Sequence, residues 1–200
     1  MIAYLKGKLA HKDPTFVIID IHGVGYEVKI SLSTYGMVKE EEQVMLHTYL
    51  HIKEDGHTLY GFKELPEKRA FLALISINGV GPNTGLMILS SLSVEELEQA
   101  ILHNDHATIQ RVKGIGAKTA QRIVLELKDK IKKEGMTGGE GTTGGFIPNS
   151  NKLKQEALQA LITLGFTKAQ AEKNITTVLK KSGPDVSLEA LIKASLKSSS

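Results

Sequence analysis

Two stretches of the sequence repeat each other at an offset of 35 residues: INGVGPNTGLMI at Ile77–Ile88 and VKGIGAKTAQRI at Val112–Ile123. Two glycines, a threonine and an isoleucine occupy the same positions in both copies. Each copy lies between segments with helical periodicity. The repeat therefore predicts, twice over, a helix, a Gly-aliphatic-Gly turn and a second helix.

This arrangement predicts a site for a phosphate group. Glycines allow positive φ angles and let a ligand approach the backbone closely. The helix that follows presents unpaired amide groups and the positive end of its dipole. Such a site holds a phosphate without reading a base, as in sequence-independent binding of duplex DNA. The candidate DNA-binding residues are Gly79, Val80, Gly81, Asn83, Thr84, Gly114, Ile115, Gly116, Lys118, Thr119 and Arg122.

Other glycine-rich phosphate motifs fit less well. A dinucleotide fingerprint needs a third glycine and a preceding strand, whereas Thr84 or Thr119 stands at that position after a helical segment. A P-loop has no residue between its second glycine and its lysine, whereas Ala117 separates Gly116 from Lys118. We therefore expect no ATP site. Two ordinary glycine turns between helices remain the structural alternative.

Composition and charge are those of a globular protein with one basic surface. The 200 residues are 41% hydrophobic and 24% charged, and residues 111–133 carry a net charge of +6 in a chain of net charge +3. The absence of cysteine excludes disulfides, thiolate zinc sites and a cysteine nucleophile, and fits a reducing cytoplasm. No apolar run is long enough for a membrane span or a signal peptide, so we expect a cytoplasmic protein.

The chain divides into four segments. Residues 1–62 predict an all-β domain, and residues 63–134 predict helices that include the repeat. Residues 135–151 contain six glycines and predict a flexible linker. Residues 152–200 predict three short helices, similar to a ubiquitin-associated (UBA) domain. The predicted strands, at 2–9, 15–21, 24–30, 43–51 and 57–62, suit a small closed barrel.

The duplicated element resembles the helix-hairpin-helix DNA-binding motif, and the whole chain resembles the RuvA family. Members of that family bind Holliday junctions in the bacterial branch-migration complex. The resemblance is carried by LYGF at 59–62, GVGP at 79–82, GIGAKTAQRIVLELKDK at 114–130 and ALITLGF at 160–166. It implies an N-terminal OB-fold, a tandem helix-hairpin-helix domain and a C-terminal domain that binds a motor.

The resemblance also implies a mechanism. A homotetramer would bind a four-way junction without sequence preference and hold it open and planar. One or two tetramers per junction are both left open. The RuvB ATPase motor would supply the energy for branch migration in recombination and DNA repair, including the SOS response, with the RuvC resolvase as an optional further partner. The chain itself would have no catalytic site, no cofactor and no metal.

Two further sets of residues follow from the resemblance. Glu54 and Asp55 match an acidic pin that keeps the DNA strands apart at the junction centre, although the residues alone fit a plain Asp-Gly turn. The candidates for motor contact are Leu161, Leu164, Phe166 and Leu196. These four could equally form the core of three short helices.

Two other classes of function are weighed against this one. A helix-hairpin-helix glycosylase or nuclease would need a catalytic carboxylate, and Asp105 and Asp129 lie 24 and 13 residues after the nearest hairpin's second glycine. Neither has a context that forms a pocket. A single-strand-binding barrel would stack bases on tyrosines, for which Tyr4, Tyr26, Tyr49 and Tyr60 are available.

Overall fold

The structure is a computed structural model that describes residues 1–39, 43–54, 56–134, 149–182 and 186–197. The chain forms two compact units, Met1–Glu140 and Gly141–Ser200. Each unit has its own hydrophobic core, and each is described by itself below.

The first unit begins with a closed five-stranded barrel. Its strands are β1 (Tyr4–Lys12), β2 (Phe16–Ile21), β3 (Val24–Ile30), β4 (Val44–Lys53) and β5 (Gly56–Phe62). They pair in the order β1-β2-β3-β5-β4, and only the β3–β5 pair is parallel. Alternate residues fill the interior with branched aliphatic side chains, including Val17, Ile19, Val28, Ile30 and Leu46. The predicted barrel is confirmed.

Six helices follow or accompany the barrel within the described part of this unit. They are α1 (Leu32–Met37), α2 (Leu65–Ile75), α3 (Pro82–Ser91), α4 (Val94–Leu102), α5 (His106–Gln110) and, longest of all, α6 (Ala117–Glu134). Of these, α1 lies between two strands, and neither α1 nor α5 was predicted from periodicity. A capping box begins α4, because Ser93 Oγ accepts from Glu96 N at 3.1 Å and Glu96 Oε2 accepts from Ser93 N at 2.8 Å.

Aromatic packing joins the outer face of the barrel to the helices. Phe71 of α2 lies 4.8 Å from the ring of Phe62 and 5.3 Å from that of Tyr60, measured between centroids. Tyr60 and Phe62 thus belong to the same buried cluster as the helices of the repeat. The repeat is therefore held against the barrel by a continuous apolar core, and the two parts present a common surface.

A buried carboxyl group adds a polar connection at the same boundary. Glu67 of α2 accepts hydrogen bonds from the hydroxyls of Ser31 and Thr34, and Thr34 Oγ1 in turn accepts from Lys63 N at 3.0 Å. Burial raises the pKa of Glu67, and the two hydroxyl donors offset part of that rise. The carboxyl group links α1, which packs on the barrel, to the first helix of the repeat domain.

The second unit is a bundle of three helices. These are α7 (Asn149–Thr163), α8 (Lys168–Ser182) and α9 (Leu188–Lys197). Its core contains Ala157, Leu161, Ala171, Ile175, Val178 and Leu191. Gly165, with a φ of +98°, terminates α7. Reciprocal hydrogen bonds between Thr167 and Gln170 then cap the start of α8.

The predicted linker is only partly covered by the structure. Residues 135–148 lie outside the described residues. Residues 149–151 form the first turn of α7, so the prediction that the helix begins at residue 152 was three residues late. With the barrel, the helical repeat and the C-terminal bundle all present, the predicted fold class is confirmed.

A membrane-spanning length of apolar helix is absent from the described part of the chain.

Candidate nucleic-acid interface

The two glycine loops have the same backbone geometry. Gly79 has a φ of +91° and Gly114 a φ of +84°. In the first loop Val80 N donates to Ile77 O at 3.0 Å, and in the second Ile115 N donates to Val112 O at 3.1 Å. The sequence repeat is therefore a structural repeat. The positive φ belongs to the first glycine of each pair, since Gly81 has a φ of −83°.

The second glycine of each pair begins the following helix. Gly85 N donates to Gly81 O at 2.9 Å, and Ala120 N donates to Gly116 O at 3.0 Å. No side chain caps α3 at Gly81. The first-turn amides of that helix therefore point outward without a partner from a capping side chain, as an anion site at a helix N-terminus requires.

Both loops are open to an approaching backbone. A Cβ atom placed on Gly79, Gly81, Gly114 or Gly116 would meet no atom within 4 Å. Space for a DNA strand therefore exists beside all four glycines, where a larger side chain would occupy it.

The aliphatic residue in each loop is buried. Val80 and Ile115 are only 5% and 6% exposed, and their amides already donate within the loop. Their side chains face the shared core of the helices. The two side chains therefore anchor the loops in the core, and a contact of these residues with DNA, through their backbone, stays a prediction.

The polar residues at the start of each helix surround the loops. Lys118 is exposed and Thr119 half-buried in the second copy, as Asn83 and Thr84 are in the first. Tyr60 Oη donates to Asn83 Oδ1 at 3.0 Å. This bond fixes the Asn83 amide with its NH₂ group available to a ligand. The Tyr60 partner was missed from sequence because it comes from the barrel.

Arg122 has partners within the protein. Its Nη1 donates to Asn78 O at 3.1 Å, and its Nε lies 3.6 Å from Glu126 Oε1. The sequence spacing placed Arg122 on the same face as Lys118, but it could not show that this face turns toward the first loop. The structure thus gives Arg122 a contact that links the two hairpins.

A cleft of about 360 Å³ lies between the first loop and the outer face of the barrel. Its polar walls come from three strands and from the start of α3. The lining residues are Lys29, His51, Lys53, Gly56, Thr58, Tyr60, Gly81, Pro82, Asn83 and Thr84. Lys29 and His51 were missed from sequence because the parallel β3–β5 pairing that brings them together is a long-range contact.

The predicted acidic pin is described only in part. Glu54 is exposed in the turn between β4 and β5, and Asp55 lies outside the described residues. Lys53 pairs with Gly56 across this turn. The pin therefore stays a prediction, with Glu54 in a position open to solvent.

The four predicted motor contacts separate into two kinds. Leu161 is fully buried in the core of the bundle, which is the structural alternative given for it above. Phe166 is half-buried against that core. Leu164 and Leu196 are 59% and 36% exposed. Ile162, which the sequence analysis did not single out, is also exposed.

Three of the residues named above for an enzyme or for a single-strand-binding protein have structural roles. Asp105 caps α5 by accepting from Thr108 N and Oγ1 at 3.1 and 2.6 Å, and these bonds lower its pKa. It is a helix cap on the surface, whereas a general base would need a raised pKa. Tyr60 is buried and Tyr49 partly buried where both pack against Phe71, so these two rings belong to the core of the repeat domain.

Comparison with known proteins agrees with this architecture along the whole chain. The RuvA N terminal domain matches residues 1–61, the SAM-like helix-hairpin-helix tandem matches residues 71–129, and the RuvA C-terminal domain matches residues 152–200. Three relatives carry the description "Holliday junction branch migration complex subunit RuvA". The protein from Cytophaga hutchinsonii is 55% identical over 199 residues, with 100% of both chains covered. Those from Christiangramia forsetii and Bacteroides fragilis are 48% and 43% identical, and each match covers 98% of this chain and 99% of the relative.

Proposed function

Because the chain belongs to the RuvA family, we propose that it binds Holliday junctions, without reading their sequence, as a subunit of a branch-migration complex. The observation that carries this proposal is the geometric identity of two exposed glycine loops, each followed by a helix N-terminus. Each loop binds one stretch of the sugar–phosphate backbone of the DNA. Backbone contacts of this kind position DNA but carry no information about its bases.

The contacts in each loop come from amides and from short polar side chains. The exposed glycines let a phosphate reach the first-turn amides of α3 and α6. Lys118 adds a positive charge at the second loop, and Asn83 adds an amide donor at the first. The remaining proposed contacts are Gly79, Gly81, Thr84, Gly114, Gly116 and Thr119.

We propose that four subunits act together on one junction. A four-way junction has four arms, and a tetramer presents two loops to each arm. Phosphate contacts on all arms hold the junction open and planar. Because none of those contacts depends on sequence, the DNA can move across them as branch migration requires.

The acidic pin supplies selectivity in this proposal. Carboxylates repel phosphates, so Glu54 and Asp55 add no affinity for DNA. Gathered at the centre of a tetramer, they oppose a continuous duplex that would cross the middle, whereas an open junction leaves the centre free. The pin is thus a repulsive element that favours one DNA shape over another.

The energy that moves the DNA during branch migration comes from a partner protein. We propose that the chain has no catalytic site of its own and that the C-terminal bundle recruits the RuvB ATPase. Its exposed apolar residues, Ile162, Leu164 and Leu196, are the proposed contact surface. A compact unit with its own hydrophobic core suits a docking module.

A steric variant tests the loops directly. Gly81→Leu introduces a side chain into the space where the strand should lie, at an ordinary φ of −83° and with no atom within 4 Å of the new Cβ. We expect this variant to fold normally and to lose junction binding in a mobility-shift assay. Gly36→Leu is the matched control, because its Cβ also meets no atom within 4 Å and it lies in α1.

The same assay separates the proposal from its alternatives. The unmodified chain should bind a four-way junction more tightly than linear duplex of equal length. Equal affinity for the two, or full binding by a folded Gly81→Leu variant, would contradict the proposal. Abolition of junction binding by unlabelled single strand would favour a single-strand-binding protein, and cleavage of the junction with Mg²⁺ would favour a nuclease.

A further inference from the structure

The first glycine loop contains the single Asn-Gly pair of the sequence, Asn78-Gly79. An asparagine that precedes a glycine can modify itself: the glycine nitrogen attacks Cγ of the asparagine, a five-membered succinimide ring forms, and ammonia leaves. Water then opens the ring at either carbonyl and leaves an aspartate or an isoaspartate, in which the main chain runs through the former side chain. Glycine favours the reaction because it has no Cβ atom to hinder the attack.

The two reacting groups of this pair are accessible. Asn78 and Gly79 are both exposed, and a Cβ atom at Gly79 would meet no atom within 4 Å. The hydrogen bond of the loop uses the N–H group of Val80 and leaves that of Gly79 outside it. Among the described residues, the side-chain amide of Asn78 has no hydrogen-bond partner. Neither steric cover nor a competing hydrogen bond therefore hinders the reaction.

The conformation of the loop opposes ring closure. Val80 N donates to Ile77 O, Gly79 has a φ of +91°, and the φ of Asn78 is not positive, which together define a type II turn. Asn78 is the second residue of this turn and so has a ψ of about +120°. At that angle the nitrogen of Gly79 eclipses Hα of Asn78, whereas the five-membered ring needs it to eclipse Cβ. The peptide unit between the two residues must therefore rotate before the ring can close.

Arg122 holds this peptide unit in place. Its Nη1 donates to Asn78 O at 3.1 Å. The carbonyl oxygen of Asn78 and the nitrogen of Gly79 belong to one planar peptide unit, so the rotation that brings the nitrogen to Cγ carries the oxygen away from the guanidinium. The hydrogen bond must therefore break before the succinimide forms. Ile77 and Val80, only 2% and 5% exposed, anchor the ends of the turn in the core and oppose the same rotation.

We propose that Asn78-Gly79 is a site of spontaneous deamidation in the first loop, and that Arg122 slows the reaction as a positioning residue because it holds the peptide unit in a conformation that cannot cyclise. The net reaction consumes a water molecule and releases ammonia, so it needs no enzyme and no oxidant. The second loop has no counterpart of this site, because Lys113 stands at the position of Asn78.

The modification changes both the charge and the backbone of the loop. An exposed neutral amide becomes a carboxylate at a position where the second loop has a lysine. The isoaspartate form also adds a methylene group to the main chain inside the turn that the bond from Val80 N to Ile77 O closes. The consequence for DNA rests on the proposed function: a carboxylate repels phosphates, so a modified first loop binds DNA more weakly.

Peptide mapping by mass spectrometry measures the modification on the full chain without any DNA. The parent chain, Arg122→Ala and Glu126→Gln are incubated in mildly alkaline buffer, and the fractions of aspartate and isoaspartate at position 78 are followed with time. We expect Arg122→Ala to react about fivefold faster, the factor that corresponds to the loss of one ordinary hydrogen bond. Glu126→Gln, which keeps the bond to Asn78, should react at the rate of the parent chain.

The same samples contain an internal reference. Asp55-Gly56 forms a succinimide by the same route with loss of water, and its isoaspartate should accumulate equally in Arg122→Ala and in the parent chain. A rise at both sites, or equal rates at Asn78 in all three proteins, would overturn the role of Arg122. Absence of isoaspartate at position 78 even after unfolding in urea, or conversion to aspartate alone, would overturn the site itself.

A binding experiment measures the consequence for the loop. Asn78→Asp should bind junction DNA more weakly than the parent chain in a mobility-shift assay. Gln159→Glu, which adds the same charge at an exposed position of α7, should bind like the parent chain. Unchanged binding by Asn78→Asp would overturn the effect of the modification on the loop. Failure of the parent chain to bind junctions would overturn the proposed function alone, because the deamidation rates are measured without DNA.

Discussion

The guanidinium group of Arg122 donates from Nη1 to the backbone carbonyl of Asn78, 3.1 Å away, and so joins α6 to the residue that precedes Gly79. The two residues are 44 positions apart in the chain. Glu126 lies on the other side of the guanidinium, with its Oε1 3.6 Å from Nε. The second hairpin therefore holds the backbone of the first, which fixes the distance between the two glycine loops.

Substitution of Arg122 should weaken DNA binding mainly because it loosens the link between the two hairpins. The loss of its positive charge should matter less. Arg122→Ala removes a hydrogen bond worth about 1 kcal/mol, so we expect a roughly fivefold loss of junction affinity. The salt dependence should stay close to that of the unmodified chain. Glu126→Gln is the control, because it keeps the bond to Asn78. A fall of about 0.9 in the salt slope for Arg122→Ala would instead identify Arg122 as a phosphate contact.

Lys118 should behave in the opposite way. Its side chain is exposed beside the second loop. Lys118→Ala should weaken binding to junction and linear duplex alike and lower the salt slope by about 0.9 for one lost phosphate contact. Affinities measured at several salt concentrations provide the test, with Lys8→Ala as the reference for a distant lysine. An unaltered slope would remove Lys118 from the interface.

Neutralising the pin should reduce selectivity and leave junction affinity high. The double variant Glu54→Gln and Asp55→Asn lowers the repulsion of a duplex that crosses the centre, so affinity for linear duplex should rise. The ratio of junction to duplex affinity in a mobility-shift assay is the quantity to follow. Glu156→Gln, in the C-terminal bundle, controls for the loss of negative charge. A ratio that does not change would contradict the role of the pin.

The buried carboxyl group of Glu67 predicts a pH dependence of stability. Its pKa is raised from 4.5 by burial, so the folded state binds a proton more tightly than the unfolded state. The stability that this tighter proton binding contributes is fully present below the pKa of Glu67 in the unfolded state. It is lost as the pH rises through the pKa of Glu67 in the folded state. The stability of the unmodified chain relative to Glu67→Gln should therefore fall as the pH rises above about 4.5.

Chemical denaturation at a series of pH values measures this difference. Because other titrating groups are common to both proteins, their contributions cancel in the comparison. A difference that is constant across the range would show that Glu67 has the same pKa in the folded and unfolded states. A rising difference would show that the hydroxyls of Ser31 and Thr34 outweigh burial.

Two leucines of the C-terminal bundle should give different defects. Leu164→Asp changes an exposed residue, so the bundle should fold and DNA binding should persist while stimulation by the RuvB motor is lost. Leu161→Ala creates a cavity in the core and should destabilise the bundle by about 2–5 kcal/mol. Thermal unfolding and motor-dependent branch migration, measured on both variants, separate contact from packing. Normal stimulation by Leu164→Asp would place the motor surface elsewhere.

Local patterns in the sequence were sufficient for most of the elements. The barrel strands follow from alternation, and the capping boxes at Ser93 and Thr167 follow from side chains three residues apart. The helix α5 was missed because five residues carry too little periodicity, although Asp105 and Thr108 are its capping pair. The loop geometry at Gly79 and Gly114 was predictable because it repeats.

The parts of the site that were not predicted depend on contacts distant in sequence. The bond from Arg122 to Asn78 requires two hairpins to pack together, and the cleft around Lys29 and His51 requires β3 to pair with β5. Burial of Val80, Ile115 and Leu161 was ambiguous for a related reason. An aliphatic residue in a short segment suits a contact surface as well as a core, and tertiary packing decides between them.

The inward orientation of Val80 and Ile115 has a consequence for genetic screens. Shortening either side chain would loosen a loop and so weaken the DNA binding proposed above, although both side chains are buried in the core. Alleles recovered for poor junction processing would then concentrate at positions that a footprinting experiment reports as unprotected. Disagreement between the map of mutant alleles and the footprint would show that the loops are positioned by buried side chains.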